Sequence, residues 1–245
     1  MAEETIIRVR NLVKKFGSFI ANDNLSFDVA KGEIFGFLGA NGAGKTTAIK
    51  ILSGLSKPTS GEVSIAGMDV YHDTEKIKKS IGYMSQRFSL YEDLTVAENI
   101  RFYAGIYGLS RTQIKERTDK LLEQLGLESS RKSLIKGLPL GWRQKLAFSV
   151  AIIHEPKIVF LDEPTSGVDP VTRRQFWEMI YQAAANKVTV FVTTHYMDEA
   201  EYCDRVSIMV DGKIAALDTP SELKKQYTVD SMDEVFVKLA RNDSR

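Results

Sequence analysis

The sequence predicts an α/β fold with a mainly parallel central sheet, an antiparallel β-subdomain near the N-terminus and an inserted helical subdomain over about residues 90–154. Short strand-like runs separated by Gly-containing turns occupy residues 6–67, as in an antiparallel layer. A strand–helix–strand pattern over residues 158–195 implies parallel strands joined by a right-handed crossover. Further helices are expected over about residues 219–241. With no repeat and no flexible linker in the sequence, we expect one domain over residues 1–245.

Composition and charge narrow the class of protein. The 245 residues carry 33 Lys+Arg against 32 Asp+Glu, a formal charge of +1, and 43% are hydrophobic. These fractions are typical of a globular protein, and the balanced charge argues against a nucleic-acid partner. Cys203 is the single cysteine, which excludes an internal disulfide, and no Cys/His cluster has zinc-ligand spacing. Because the start resembles no signal peptide and no apolar run reaches about 18 residues, we expect a soluble, cytoplasmic chain.

The N-terminal elements follow from their apolar patterns. The runs IIRVR, LSFDV and EVSIAG are predicted strands, and Leu25, Phe27 and Val29 alternate with polar residues in the second run. The apolar run EIFGFLG predicts a buried strand that leads into a Gly-rich turn. A helix, TTAIKILSG, is then expected to end at Gly54.

The helical portion begins its clearest helix with a capping box, Ser110 with Gln113. The apolar stripe of this helix consists of Ile114, Leu121, Leu122 and Leu125, and Gly126 is expected to end the helix. A second helix is expected after Pro139, with the proline at the first helical position. A backbone N–H at that position has no partner within the helix, so proline loses no hydrogen bond there. The apolar face of that second helix consists of Leu146, Val150 and Ile153.

Strands return at IVFLDE and VTVFVTTH, with the helix TRRQFWEMIYQAAAN between them. Two further capping boxes, Thr219 with Glu222 and Ser231 with Glu234, predict short amphipathic helices near the end. Cys203 is expected to be a small apolar residue in a helix formed by YMDEAEYCDR.

The most specific local signal is GANGAGKTT at residues 39–47, which matches G-x-x-x-x-G-K-[ST] between an apolar strand and a helix. Glycines let backbone N–H groups turn inward around phosphate oxygens, and the helix N-terminus adds partial positive charge. Lys45 would reach the β- and γ-phosphates, and the Thr46 hydroxyl would ligate Mg²⁺. Since chance produces this pattern in about one such chain in a hundred, a nucleotide site on a P-loop NTPase core is favoured. The expected nucleotide-binding residues of this loop are Gly39, Ala40, Asn41, Gly42, Ala43, Gly44, Lys45, Thr46 and Thr47.

Two carboxylates, Asp162 and Glu163, stand at the end of the apolar run IVFL. This placement is unusual because burying a charge without a partner is costly. Asp162 would hold Mg²⁺, and Glu163 would polarise an attacking water as general base. A strand that ends in a solvated acidic turn is the alternative, and the phosphate loop favours the functional interpretation.

With these motifs in this order, the chain resembles the ATP-binding subunits of ABC transporters over nearly its whole length. The resemblance implies that the ligands are ATP and Mg²⁺ and that Glu163 is catalytic. It also assigns Phe16 in KKFG as the aromatic that stacks on adenine, and Asp169 as the end of the D-loop. Gln86 in IGYMSQ would sense Mg²⁺ and the attacking water, and His195 would be the switch histidine at the γ-phosphate.

Each of these added positions has a plainer alternative. Gln86 could be a surface residue, His195 a satisfied core histidine and Phe16 a core aromatic. Their joint order and spacing favour the family interpretation. His72 and His154 match nothing in the family pattern and are expected to have no special role.

One segment departs from the family. The signature LSGGQ is expected before the second helix of the helical portion, and the chain reads LPLGW there. Pro139 stands at the serine position, Leu140 and Gly141 at the two glycines, and Trp142 at the glutamine. In the family this segment binds the γ-phosphate held by the opposite subunit, and proline supplies neither hydroxyl nor N–H. Either the segment closes on ATP with fewer donors and slower turnover, which RQKLAFSVAI beyond it favours, or the chain pairs with a subunit whose signature is intact.

The resemblance also implies partners. The sequence has one cassette and no spanning run, so the permease would be another polypeptide, and the chain would sit at the inner face of the cell membrane through it. Two copies, or this chain and another cassette, would bind ATP head to tail. The segments DLTVAENIRFYAGIYGLS and SMDEVFVKLA look like those of ATPases that serve drug, antibiotic and lipid exporters. A groove around Gln86, with Phe88, Leu90 and Tyr91, would receive the permease's cytoplasmic helices, unless that segment is only a solvated loop.

Two other functional classes compete with an exporter ATPase. A soluble ABC ATPase acting on DNA or ribosomes is disfavoured by the charge balance and the single cassette. A regulatory or weakly hydrolysing cassette that pairs with another ATPase is favoured only by the LPLGW segment.

Overall fold

The computed structural model of the protein describes residues 4–86 and 90–242. In these residues the strands are β1 (Thr5–Phe16), β2 (Phe19–Ala30), β3 (Ile34–Gly39), β4 (Ser60–Ile65), β5 (Met68–Asp69), β6 (Ile81–Met84), β7 (Ile158–Asp162), β8 (Thr189–Thr194), β9 (Arg205–Val210) and β10 (Lys213–Asp218). The α-helices are α1 (Lys45–Leu52), α2 (Thr74–Ser80), α3 (Val96–Ile106), α4 (Arg111–Leu125), α5 (Leu140–Ala151), α6 (Pro170–Ala185), α7 (Pro220–Tyr227) and α8 (Met232–Asn242). Short 3-10 helices occupy Ile135–Gly137 and Met197–Tyr202.

The N-terminal sheet is antiparallel, in the order β2-β1-β4-β5. β1 and β2 form a hairpin in which Phe16 pairs with Phe19 beside the turn. In that turn Gly17 has a φ of +60°, a left-handed conformation that glycine adopts without a Cβ clash. The alternating residues Leu25 and Phe27 of β2 are buried. The predicted antiparallel layer is therefore confirmed.

The second sheet has the order β10-β9-β3-β8-β7-β6 and is parallel except for β10, which runs antiparallel to β9. β3, β7 and β8 are buried along their whole length, as expected for parallel strands covered on both faces. The predicted strand–helix–strand unit is β7-α6-β8, and its two strands pair in parallel. The carboxyl ends of these strands meet at one edge of the sheet, where ligands bind in open α/β folds.

The six-stranded sheet separates two hydrophobic clusters. On one face Phe35, Phe37 and Phe191 contact Phe27 of the N-terminal sheet, with ring centroids 5.6 to 6.1 Å from that of Phe27. The other face is covered by apolar residues of α3 to α6. The sheet is thus a central layer that holds the ends of its strands in fixed positions.

The helical portion over about residues 90–154 contains α3, α4 and α5. The capping box of Ser110 and Gln113 is complete, and Gly126 ends α4 with a φ of +63°. Thr95 and Glu98 form a second complete box, at α3, which the sequence reasoning missed although both residue types are present at the required spacing.

Several local expectations were wrong by a short distance. Pro139 precedes α5 as its N-cap, with a ψ of 150°, so Leu140 and not the proline takes the first helical position, and Ile153 lies beyond the helix end. Cys203 follows the 3-10 helix Met197–Tyr202 and is not helical. It is instead buried against β3, where a Cβ on Gly36 would lie 2.8 Å from its sulfur. Tertiary packing against the sheet thus overrides a helical pattern.

The C-terminal capping boxes form only in part. The N–H of Glu222 donates to the Thr219 hydroxyl at 3.2 Å, but among the described contacts the Thr219 N–H donates to Asp218 instead of to Glu222. At α8, Glu234 accepts from the N–H of Asp230, one residue before the expected Ser231. Neighbouring acceptors therefore compete for the same donors. In the described part of the chain, none of the helices is long and apolar enough to cross a membrane.

His154 follows α5 and stacks on Tyr107, with ring centroids 3.6 Å apart and ring planes 12° apart. Burial lowers the pKa of His154 from 6.5 to about 4. The unfolded chain therefore binds a proton near pH 6.5 that the folded protein accepts only near pH 4, so stability is lost as the pH falls through this interval.

We expect His154 alone to lower the free energy of unfolding by about 3 kcal/mol between pH 7 and pH 4. The His154→Phe variant keeps an aromatic ring against Tyr107 and should lose this part of the pH dependence, as measured by urea unfolding at a series of pH values. His72→Phe, at an exposed position, is the control and should follow the parent. Parallel profiles for His154→Phe and the parent would contradict the assignment.

Candidate functional site

The loop between β3 and α1 is shaped by its glycines. Gly44, just before α1, has a φ of +99°, and a Cβ there would lie 2.3 Å from the carbonyl oxygen of Ala21. Gly42 also has a positive φ, of +86°, but among the described atoms none lies within 4 Å of its Cβ position. The loop thus packs tightly on one side and is open on the other, where backbone N–H groups before a helix can cradle an anion.

Lys45 extends beneath this loop. Its ammonium group donates to the carbonyl oxygens of Gly39 at 2.8 Å and Ala40 at 3.1 Å, and lies 3.3 Å from Oε1 of Glu163. The side chain is 3% exposed. Burial lowers the pKa of Lys45, and the Glu163 carboxylate opposes that shift. A buried cation is therefore held between the phosphate loop and the carboxylate.

Asp162, the last residue of β7, is buried with two hydroxyl partners. Its Oδ1 accepts from the hydroxyl of Thr193 at 2.7 Å and from that of Thr46 at 3.2 Å. Burial raises the pKa of Asp162, and these hydrogen bonds oppose the rise. In residues 4–86 and 90–242 no group of three or more His, Cys, Asp or Glu residues could hold a metal alone. One carboxylate and one hydroxyl fit Mg²⁺, which takes one or two protein carboxylates and completes its shell with water and phosphate oxygens.

Glu163 is the residue on which the predicted catalytic side chains converge. Its Oε2 accepts from Nε2 of Gln86 at 2.9 Å and lies 3.0 Å from Nδ1 of His195. Its backbone is left-handed, with a φ of +48°, and its N–H donates to the Thr193 carbonyl oxygen at 3.0 Å. A non-glycine residue in that conformation is strained and persists where its surroundings hold it. His195 thus lies in the site, which excludes its interpretation as a core histidine.

A cavity of about 290 Å³ opens at this edge of the sheet. It is lined by Phe19, Ala21, Asn41, Gly42, Gly44, Lys45, Thr46, Thr47, Gln86 and Glu163. Of the two hairpin aromatics described, Phe19 lines the cavity and Phe16 does not, although Phe16 is its cross-strand partner. Phe16 is 55% exposed, with the Lys14 ammonium 4.9 Å from its ring centroid, so it is not a core residue.

Sequence reasoning missed three residues of this site, Phe19, Ala21 and Thr193. The alternation of β2 places Phe19 on the same side of the strand as Ala21, which a period-two pattern could have indicated. Thr193 has no such signal, because its role as a partner of Asp162 depends on the pairing of β7 with β8.

The signature-like segment lies at a different cavity, of about 340 Å³, between the start of α5 and the turn before α6. Its lining includes Pro139, Leu140, Gly141, Trp142 and Asp169. Asp169 caps α6 and accepts from the N–H groups of Val171 and Thr172, both at 3.0 Å. The structure therefore brings the five predicted interface residues together, but not to the phosphate loop of their own chain.

Comparisons with known proteins agree with this geometry. A family model described as ABC transporter matches residues 22–166. The chain is 48% identical over 241 residues to the "Probable multidrug ABC transporter ATP-binding protein YbhF" of Escherichia coli strain K12, a match that covers 96% of this chain and 42% of that protein. It is 35% identical to the linearmycin resistance ATP-binding protein LnrL of Bacillus subtilis strain 168, over 97% of this chain and 79% of the relative. The chain thus spans less than half the length of the first relative.

Solved structures share the whole fold. A structure of an ATP-binding subunit of an ABC transporter superposes with a TM-score of 0.86 at 30% identity, covering 96% of this chain and 99% of the other. The ATP-binding cassette MJ0796, solved as a dimer in a post-hydrolysis state with ADP and Pi, superposes with a TM-score of 0.79 at 26% identity, over 87% of this chain and 98% of the other.

The raised pKa of Asp162 has a consequence for stability in the absence of ligands. The folded protein holds this proton at pH values where the unfolded chain has lost it, so stability falls as the pH rises above the unfolded value of about 4. Asp162→Asn keeps an acceptor for both hydroxyls and removes the charge. We expect its free energy of unfolding at pH 7 to exceed the parent's, measured by urea denaturation without nucleotide or Mg²⁺.

Asp169→Asn provides the matched control. Hydrogen bonds from Thr172 lower the pKa of Asp169, so this substitution should act in the opposite direction. If both variants are destabilised to the same extent at pH 7, burial does not govern the charge of Asp162.

Proposed function

Because the chain belongs to the family of ABC transporter ATP-binding proteins, we propose that it binds and hydrolyses ATP to drive a separate transmembrane permease. The observation that carries the proposal is the convergence on one carboxylate, Glu163, of Lys45 at 3.3 Å, Gln86 at 2.9 Å and His195 at 3.0 Å. These side chains come from separate elements and meet beside the phosphate loop.

The loop residues hold the nucleotide. N–H groups at Gly42 and Gly44 bind phosphate oxygens on the open side of the loop, and Lys45 neutralises their charge. Thr46, Asp162 and Gln86 supply the protein ligands for Mg²⁺, directly or through water. When bound, Mg²⁺ offsets the negative charge that develops on the phosphates.

Glu163 and its partners provide the proton transfer. The carboxylate accepts a proton from a water molecule, and Gln86 orients both the carboxylate and that water. The ring of His195 holds Oε2 of Glu163 in place through Nδ1. The opposite side of the same ring contacts the γ-phosphate. At the hairpin, Phe16 stacks on adenine, and Phe19 lines the same approach to the cavity.

The assignment to export is supported by the relatives. One carries a multidrug transporter name and another a linearmycin resistance name. The permease would dock on the exposed aromatics of the helical portion near Gln86, where Tyr91 is 49% exposed and Leu90 is buried. Phe88, the third expected contact, lies outside the described residues. Through this contact the chain would lie at the inner face of the cell membrane, with a cytoplasmic body.

Head-to-tail dimerisation, by two copies or with another cassette, is supported by the separation of the two cavities. The segment Pro139–Trp142 lines a different cavity from its own phosphate loop, so a second subunit would be needed to bring the two together. A solved relative is a dimer of cassettes. Asp169 would lie at this interface beside the capped start of α6.

The central test is Glu163→Gln, which keeps the size and an acceptor but cannot take the proton. We expect ATP hydrolysis to fall by about a hundredfold or more while ATP binding is retained and a nucleotide-bound dimer accumulates in size-exclusion chromatography with Mg²⁺ and ATP. Lys45→Ala is the matched control, because it should lose tight ATP binding and form no such dimer. Hydrolysis by Glu163→Gln at the parent rate would remove Glu163 as the base.

A regulatory or weakly hydrolysing cassette is the second candidate, favoured by one observation. Pro139, the N-cap of α5, has neither a hydroxyl nor a backbone N–H, so this helix start offers a phosphate fewer hydrogen-bond donors than a serine would give it. Significant turnover by the purified chain alone would contradict this candidate. Copurification with a membrane protein from solubilised membranes would separate both candidates from a soluble, non-transport ATPase.

Restoring the hydroxyl tests which of the two roles the segment has. Pro139→Ser should make the start of α5 more stable than Pro139→Ala does, by about 1 kcal/mol, since serine caps the N–H groups of the first turn. If the segment closes on ATP, steady-state ATPase activity should also rise several-fold, whereas Pro139→Ala should not increase it. Equal activities of the two variants would show that the serine position does not limit turnover.

A further inference from the structure

Glu199 is a fully buried carboxylate that the proposed mechanism does not use. It lies in the 3-10 helix Met197–Tyr202, four residues after His195. The hydroxyl of Thr165 donates to its Oε1 at 2.5 Å, and Nε of Arg173 lies 3.6 Å from the same oxygen. Its Oε2 has no hydrogen-bond partner among the described residues. A buried charge with so few partners is costly and calls for a role beyond packing.

Through Arg173 and Tyr196, the residues around Glu199 are in contact with His195. The Arg173 guanidinium lies 4.2 Å over the ring centroid of Tyr196, and the Tyr196 ring lies 4.1 Å from that of His195. His195 in turn contacts the Glu163 carboxylate through Nδ1. Fixing the guanidinium therefore fixes the ring against which His195 rests, since a planar cation stacks on an aromatic face.

Through Thr165, Glu199 is also connected to the backbone turn that carries Glu163. Thr165 lies two residues after Glu163, and the N–H of Ser166 donates to the Glu163 carbonyl oxygen at 3.2 Å. This turn carries the left-handed conformation of Glu163, which needs support from its surroundings. The bond from Thr165 to Glu199 anchors the turn to the segment that carries His195.

We propose that Glu199 is a positioning residue for ATP hydrolysis: its buried carboxylate joins the Glu163 turn, through Thr165, to the His195 segment, through Arg173 and Tyr196. The inference rests on the proposed ATPase function. It assigns to Glu199 the alignment of His195 with Glu163, not contact with ATP.

Glu199→Gln tests the proposal because the amide still accepts from Thr165 but loses its charge toward Arg173. We expect kcat for ATP to fall by about ten- to a hundredfold, as for a small misplacement of catalytic groups, while KM changes by less than about twofold. Glu201→Gln, on the exposed side of the same segment and paired with Lys224, should leave both constants unchanged. A parent-like kcat for Glu199→Gln would overturn the proposal.

A cycle with His195→Ala separates positioning from a general loss of structure. If Glu199 acts through His195, Glu199→Gln should lower kcat little further in the His195→Ala background. A decrease by the same factor in both backgrounds would show that Glu199 acts independently of His195 and would overturn the proposal.

A measurement that does not depend on ATP turnover tests the role of Glu199 separately from the proposed ATPase function. The chain has three histidines, so the His195 ring resonances can be assigned by NMR with His195→Ala. Glu199→Gln should displace them in the nucleotide-free protein, and Glu201→Gln should not. Unmoved resonances would overturn the inference even in an active enzyme, whereas absence of Glu163-dependent hydrolysis in the parent would overturn only the ATPase function.

If Glu199→Gln does not fold, Thr165 gives the same test from the other side. Thr165→Val removes the hydroxyl that donates to Glu199 and should displace the His195 resonances, and Thr165→Ser should restore them. Failure of serine to rescue the valine effect would contradict a role of this hydrogen bond.

Discussion

The structure depends on burying two adjacent carboxylates at the end of β7. Asp162 and Glu163 are 2% and 6% exposed, and a buried charge without partners would destabilise the fold by several kcal/mol. Their partners come from the start of α1 and from the ends of β6 and β8: Lys45, Thr46, Gln86, Thr193 and His195. Because these five partners belong to three separate segments, compensating the charge also fixes the relative positions of these segments. The chemistry of the site and the stability of this edge of the sheet thus depend on the same set of contacts.

Much of this arrangement could be predicted from the sequence because its signals are local. The phosphate loop and the crossover from β7 to β8 are each predicted by a continuous stretch of sequence, and the phosphate loop in turn favours the functional interpretation of the two carboxylates. The predicted position of Pro139 in its helix and the predicted helix at Cys203 were wrong, because the conformation at each residue depends on contacts made elsewhere in the fold. Glu199 gives no sequence signal at all, since an acidic residue after a histidine usually lies on the surface.

The hairpin of β1 and β2 illustrates why side-chain roles are harder to predict than elements. Family resemblance points to Phe16, whereas the cavity is lined by its cross-strand neighbour, Phe19. Both rings are more than half exposed, so neither is held by the core, and a bound base could contact either. The sequence reasoning named only Phe16, because the side of the hairpin that lines the cavity depends on how β1 and β2 pair and twist in the fold.

The burial of Cys203 beside Gly36 has a practical consequence. Its thiol is shielded from solvent, and burial raises its pKa, so little reactive thiolate forms near neutral pH. The natural chain is therefore already suited to site-directed labelling without prior removal of its cysteine. A cysteine introduced on an exposed face, such as that of α6, would take up a spin label or fluorophore selectively, and the label could then report on conformational changes of the otherwise natural chain.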